Sequence, residues 1–196
     1  MQTCACESST YIYIYEYACI YIMSLTLLVG CMFSGKSTEL IRRVKCLKSI
    51  GHTVLVINHS KDNRYSTVEE VVTHSGNAMK AIKCDTLDTI DVREFEVVAI
   101  DEAQFFPDLF ENVLKFLNLK KKVLVAGLIS DYKREPIGQV LELISKADEI
   151  VQLRAYCSVC KNGTLASFTK RISEETEQVV VGVDKYVAVC RQCYHL

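Results

Sequence analysis

The sequence predicts an α/β fold, a mostly parallel sheet with helices on both faces, carrying a small cysteine-rich unit at its C-terminus. Three observations predict it. Four short apolar runs, Leu25 to Val29, Thr53 to Ile57, Val97 to Ile100 and Val123 to Ala126, are rich in β-branched residues and lack polar alternation. That pattern belongs to strands buried on both faces, as in parallel sheets. Between the runs lie stretches of helical apolar spacing, the connections that parallel strands need. The composition changes after Leu153, where two Cys-x-x-Cys pairs begin.

The elements follow in order. Residues 1–22 look foreign to the rest, because Tyr11 to Ile22 alternates tyrosine and isoleucine in the period of a strand, with Glu16 as its one charge. A secretory signal is disfavoured by the lack of a basic region ahead of this stretch, and a membrane helix by the tyrosines and Glu16 within it. An extra edge strand or a disordered, association-prone tail is the better reading. Met23 makes a natural start, so the segment is expected to be dispensable. The strand from Leu25 to Val29 runs into a glycine-bounded loop, and a helix over Ser37 to Ile50 follows with apolar residues at Leu40, Ile41, Val44 and Leu47. Thr53 to Ile57, bounded by Gly51 and the polar loop 58–67, is the next strand. Pro107 opens a helix where its missing N–H costs little, with a stripe of Leu109, Phe110, Val113, Leu114 and Leu117. A further helix is expected after Pro136, carrying Val140, Leu141, Leu143 and Ile144.

The loop after the first strand is Gly30-Cys31-Met32-Phe33-Ser34-Gly35-Lys36-Ser37. Glycines in this G-x-x-x-x-G-K-S spacing let the backbone curl until successive N–H groups face phosphate oxygens, and the following helix adds its positive N-terminal end. Lys36 supplies a cation to the β and γ phosphates, and the Ser37 hydroxyl can hold Mg²⁺. Strand, loop and helix in that order mark a P-loop NTPase fold, which is expected to be of RecA-like type. The strand Val97 to Ile100 ends in Asp101-Glu102. Its tip delivers Asp101 to the Mg²⁺ shell and Glu102 as an acceptor for the proton of water or a substrate hydroxyl.

Cys157, Cys160, Cys190 and Cys193 can place four thiolates around one tetrahedral Zn²⁺, with residues 161–189 as a long loop between the two knuckles. Such a site has no position left for a catalytic water, so the zinc is structural. His195 in place of Cys193, or a redox dithiol, is the competing reading of these residues.

The chain has 196 residues, 49% apolar and 24% charged, which is ordinary for one main domain with an appendage. A net charge of −1 gives no global cationic field for nucleic acid or an anionic membrane. The basic stretches Arg42-Arg43-Val44-Lys45 and Lys120-Lys121-Lys122 read as solvated surface. Ten cysteines without an export signal, four of them in metal-ligand spacing, point to a reducing, cytoplasmic setting. The scattered Cys4, Cys6, Cys19, Cys31, Cys46 and Cys84 read mostly as buried free thiols.

Further segments make the reading more specific. GCMFSGKSTELIRR from Gly30, KDNRYS from Lys61, THSG from Thr73, DEAQFF from Asp101, FTKR from Phe168 and DKYVAVCRQC from Asp184 occur in order. Together they resemble the type II thymidine kinases over about Leu25 to Tyr194. The resemblance implies transfer of the ATP γ-phosphate to the 5′-hydroxyl of thymidine or deoxyuridine. It implies Glu102 as general base, Ser37, Asp101 and Asp62 at Mg²⁺, and Lys36 and Arg64 against the charge of the transferring phosphoryl group. Asn63, Ala103 and Gln104 belong to the same ATP and Mg²⁺ site. The nucleoside is expected beneath a lasso between the zinc knuckles, held by main-chain groups of Glu177, Gln178, Val179, Val180 and Val181, with Tyr186 close behind. Met32, Phe105, Leu128, Tyr132 and Thr169 would wall the base pocket. A cytosolic dimer or tetramer and feedback inhibition by thymidine triphosphate are also implied. The expected division is an extension at 1–22, a nucleotide-binding domain at 23–153 and a zinc-binding lasso domain at 154–196.

Several positions depart from the family pattern. Cys31 replaces a proline in the phosphate loop and introduces a thiol next to bound phosphate, where oxidation is expected to inhibit. Ile129 and Ser130 replace an acidic and a small residue, Ile137 replaces an aromatic, and Val181 stands where some members have glycine. The preference among thymidine, deoxyuridine and deoxycytidine is thereby left open. Two other classes compete. One is a RecA-like or DNA-repair ATPase in which Glu102 activates water and the zinc ribbon touches DNA. The other is a non-catalytic zinc module with a degenerate nucleotide site, against which Lys36, Ser37, Asp101 and Glu102 are all present.

Overall fold

In chain order the elements are β1 (Ser24–Gly30), α1 (Lys36–Ser49), β2 (Val54–His59), a hairpin of β3 (Glu70–Val72) and β4 (Ala78–Lys80), and β5 (Ile82–Cys84). They continue with β6 (Val97–Ile100), α2 (Leu109–Asn118), β7 (Lys122–Gly127) and β8 (Glu149–Leu153). The C-terminal part holds β9 (Ala155–Tyr156), β10 (Leu165–Ala166), β11 (Phe168–Arg171), β12 (Tyr186–Val189) and the single turn α3 (Arg191–Tyr194). The structure, a computed structural model, describes residues 23–62, 70–72, 78–180 and 182–195. The expectations for residues 1–22 lie outside them.

Six strands form one sheet in the order β5-β2-β6-β7-β1-β8, and every neighbouring pair is parallel. The apolar runs explain the two-faced burial, since successive side chains along a strand point to opposite faces. Leu25, Leu27, Val29, Leu55, Ile57, Val98, Ile100, Val123 and Val125 pack with Leu109, Val113 and Phe116 of α2. The alternate residues Leu28, Val54, Val56, Val97, Ala99, Leu124 and Ala126 pack with Leu40, Ile41 and Val44 of α1. The helices expected after the phosphate loop and near Pro107 therefore cover opposite faces. Pro107 lies just ahead of the N-cap residue Asp108 rather than inside the first turn of α2.

Two expectations are corrected. No α-helix carries Val140, Leu141, Leu143 and Ile144; a 3₁₀ segment, Glu142–Lys146, takes its place. Gly138 is the reason. Its φ is +56°, and a Cβ there would sit 2.2 Å from the Gln104 carbonyl oxygen, so the chain is pressed against another backbone where a helix would not fit. Val140 and Leu143, three residues apart, are both fully buried, and the Asp148 N–H already bonds the Leu25 carbonyl at 2.9 Å to start β8. The stretch 161–189 is likewise more than a loop, because it contains β10, β11 and β12. β8 itself was hidden in the sequence: Glu149 and Gln152 interrupt its apolar residues, as an exposed sheet edge allows.

Candidate active site

The site is built where parallel strands end, the edge at which open α/β sheets bind ligands. At the end of β1 the loop turns through two left-handed residues, Phe33 at φ 65° and Gly35 at φ 86°. A Cβ at Gly30 would meet the Leu153 carbonyl oxygen at 2.3 Å, whereas one at Gly35 would meet nothing within 4 Å. Gly30 is thus required by packing and Gly35 by conformation, on the side left open for phosphate. Lys36 opens α1 and curls back, its ammonium donating to the Cys31 carbonyl at 2.9 Å.

β7 lies between β1 and β6. The tips of β1 and β6 are therefore about 10 Å apart, two strand spacings, which leaves room for phosphates between the loop and the carboxylates. Asp101 and Glu102 are both buried. Glu102 adopts φ 50°, unusual for a residue with a side chain, and accepts a 2.6 Å bond from the Gln104 amide. The Gln104 side-chain oxygen accepts from the Leu128 N–H at 2.9 Å, so this side chain joins the tips of β6 and β7. Asp62 accepts from the Asn58 amide at 2.9 Å just past β2, and its carbonyl accepts from the Lys83 ammonium at 3.1 Å. His59 packs edge-on against Phe106 and Phe105, ring centres 4.8 Å and 5.7 Å away, and its Nδ1 accepts from the Lys61 N–H. Burial holds its pKa below the ordinary imidazole value.

The C-terminal strands close the opposite side. The Met32 N–H of the phosphate loop donates to the Thr169 hydroxyl on β11 at 3.0 Å. Arg171, at the end of β11, donates to the carbonyls of Glu175, Glu177 and Gln178 and to the Tyr186 hydroxyl. That hydroxyl donates to the Val180 carbonyl and accepts from its N–H. Asp131 accepts from the N–H groups of Lys133 and Glu135 and from the Gln178 amide, and the Tyr132 hydroxyl donates to the Thr176 carbonyl.

One cleft runs through these groups. Phe33, Gly35, Lys36, Ser37, Asp62, Glu102 and Gln104 line it together with Met32, Phe105, Leu128, Tyr132, Thr169, Gln178, Val179, Val180 and Tyr186. Gly30, Cys31, Ser34, Asp101, Ala103 and Glu177 are not part of that lining. Asn63, Arg64 and Val181 lie outside the described residues. The cleft wall also includes Thr38, Lys61, Ser130, Asp131, Ile137 and Gly182. Arg171 ends the FTKR segment, but nothing in the sequence marks it or Asp131 as a site residue, since Asp131 opens the polar run Asp131-Tyr132-Lys133-Arg134-Glu135.

The sulfur atoms of Cys157, Cys160, Cys190 and Cys193 all lie within 4.8 Å of one another. A tetrahedron of thiolates around zinc, with Zn–S near 2.3 Å, spaces its sulfurs by about 3.8 Å, so the donor set fits that ion. Around them Ala166, Ala188 and Val189 form a small core that Cys31 enters from the phosphate loop. The Cys31 thiol is buried, donates to the Ala166 carbonyl at 3.5 Å, and is pushed up in pKa by that burial. It packs there as a small apolar side chain, the reading given to most of the scattered cysteines.

Residues 23–194 match the family described as Thymidine kinase. The chain belongs to the thymidine kinase family. Among its relatives is the thymidine kinase of Vaccinia virus (strain Ankara), 42% identical over 175 residues that cover 87% of this chain and 96% of the relative. That of Yaba monkey tumor virus (strain VR587) is 42% identical over 171 residues, covering 86% and 92%. Thymidine kinase 1 of Dictyostelium discoideum is 39% identical over 177 residues, covering 87% and 77%. Membership in the thymidine kinase family makes the chain an ATP-dependent kinase, and it gives a chemical sense to a cleft with a phosphate loop at one end and aromatic walls at the other. Among the described residues no helix is long and apolar enough to cross a membrane.

Proposed function

We propose that the protein phosphorylates thymidine, and deoxyuridine, at the 5′-hydroxyl with the γ-phosphate of ATP, as a DNA-precursor salvage enzyme. The observation that carries this reading is the single cleft in which Lys36, Ser37 and Glu102 share one space with Phe105, Tyr132 and Tyr186. A flat base suits the aromatic and aliphatic walls, and the triphosphate suits the loop and the start of α1. Glu102, which lines the same cleft, is assigned as the base that takes the 5′-hydroxyl proton.

Ser37, Asp101 and Asp62 are assigned to Mg²⁺, whose chemistry in this reading is to offset charge on the phosphates. Lys36 and Arg64 bind and orient the transferring phosphoryl group. Base recognition is assigned to the lasso backbone and to Met32, Leu128 and Thr169. The carbonyls of Glu177 and Gln178 and both polar backbone groups of Val180 have partners within the protein, which in this reading leaves the Val179 backbone for the base. Zn²⁺ on the four cysteines is assigned a structural part in a lasso domain spanning 154–196. Assembly as a cytoplasmic homo-oligomer, dimer or tetramer, belongs to the same reading, and light scattering on the purified protein tests the mass.

The deciding experiment incubates the protein with Mg-ATP and each nucleoside in turn, beside Glu102→Gln, and measures 5′-monophosphate. Thymidine monophosphate that disappears in the variant supports the reading. ATP consumption without any monophosphate returns the chain to the RecA-like or DNA-repair ATPase class.

A further inference from the structure

Arg171 is buried, yet it belongs neither to the phosphate loop nor to the acidic tip of β6. A guanidinium is costly to bury unless its donors are met, and both terminal nitrogens of this one are met by the lasso and Tyr186. Nη1 donates to the carbonyls of Glu175 at 2.9 Å and Glu177 at 2.5 Å; Nη2 donates to the Gln178 carbonyl at 3.2 Å and the Tyr186 hydroxyl at 2.6 Å. Nε is buried with no acceptor among the described residues. The guanidinium carbon lies 3.8 Å from the centre of the Tyr132 ring, on a residue that lines the cleft, and 5.1 Å from that of Tyr186.

Three carbonyls within four residues converge on one cation only if the backbone curls around it. The Tyr186 hydroxyl extends the effect, since it accepts from Arg171 while holding the Val180 N–H and C=O at 3.3 Å and 3.1 Å. All of these contacts are within the chain and need no ligand. We propose that Arg171 is a positioning residue that pre-sets the lasso, curling residues 175–178 and fixing Val180 so that the nucleoside wall stands formed when substrate arrives. The proposal rests on reading the lasso as that wall. A planar fork is required for four acceptors in different directions, and a lysine ammonium at the end of a flexible stem is no substitute.

The test uses the full-length, zinc-replete protein, Arg171→Lys and Tyr186→Phe. Initial rates are measured with thymidine and ATP varied separately, and the ligand-free proteins are digested briefly with a nonspecific protease. Loss of the fork raises the thymidine KM about tenfold or more while the ATP KM stays within about twofold, and Tyr186→Phe raises the thymidine KM about threefold. Cleavage between 174 and 182 is about tenfold faster in ligand-free Arg171→Lys than in the ligand-free parent. A parent-like thymidine KM in both variants overturns the proposal, as does a parallel rise in both KM values for Arg171→Lys with Tyr186→Phe unchanged. Should Arg171→Lys fail to fold, Tyr186→Phe and the parent decide: a parent lasso cut rapidly until thymidine is added is not pre-set. If the parent makes no monophosphate from thymidine, the functional reading fails instead, and the ligand-free digestion still judges Arg171.

Discussion

Glu102 is held in a left-handed conformation that costs of order 1 kcal/mol or more for a residue with a Cβ. Gln104 compensates by bonding the carboxylate on one side and the Leu128 N–H on the other. Glu102→Gln keeps the size and removes the basic oxygen, so kcat should fall by about 100- to 10,000-fold while ATP still protects the protein from thermal unfolding. Loss of ATP protection in the variant would mean a failure of binding instead. Gly30 makes a different demand. A methyl group there meets the Leu153 carbonyl at 2.3 Å and the Ser34 hydroxyl at 2.6 Å, both at the base of the phosphate loop. Gly30→Ala is expected to lower stability by about 3 kcal/mol in urea unfolding, from overpacking against backbone. The motif was legible as spacing, but why its first glycine is needed depends on β8, which arrives from far along the chain.

α2 and β2 show how single elements respond. Phe116 is 1% exposed in the layer between α2 and the sheet, so Phe116→Ala should cost about 3–5 kcal/mol by removing the ring and leaving a cavity. His59 at the end of β2 adds a pH dependence. Its folded pKa is lowered by burial, so the unfolded chain takes up a proton first as pH falls. Stability from this group is complete above the ordinary histidine value near pH 6.5 and declines as pH drops below it toward the lowered folded value. Melting followed from about pH 7 to about pH 5 should show a smaller loss for His59→Gln than for the parent. An equal or larger loss would assign the acid sensitivity to other groups. α1, α2 and the four apolar strands were readable because each buries a regular stripe. The expected helix after Pro136 was not, because its apolar spacing also suits a 3₁₀ turn and only the contact of Gly138 with Gln104 decides between them.

For the whole molecule, the cysteine unit and the phosphate loop share a boundary. Cys31 enters the core around the four clustered cysteines, and Met32 bonds Thr169. Metal removal should therefore do more than loosen the C-terminus. Cys157→Ser, or prolonged chelation, is expected to abolish thymidine phosphorylation and to lower bound zinc from about one ion per chain. The helical and strand signal of the main sheet should survive, because its two apolar faces are closed by α1 and α2 without the cysteine unit. A global loss of that signal would show that the two parts fold as one.

The sequence alone determined the phosphate loop, the acidic strand tip and the two cysteine pairs, since each is a local spacing whose chemistry works wherever the chain carries it. It also determined the buried strands, through short apolar runs rich in β-branched residues. The tertiary structure decided what joins them: β7 set between β1 and β6, Gln104 bridging two strand tips, and Arg171 gathering carbonyls from a segment that has no pattern of its own. Those contacts depend on where a distant backbone stops, and a backbone carbonyl leaves no mark in the sequence.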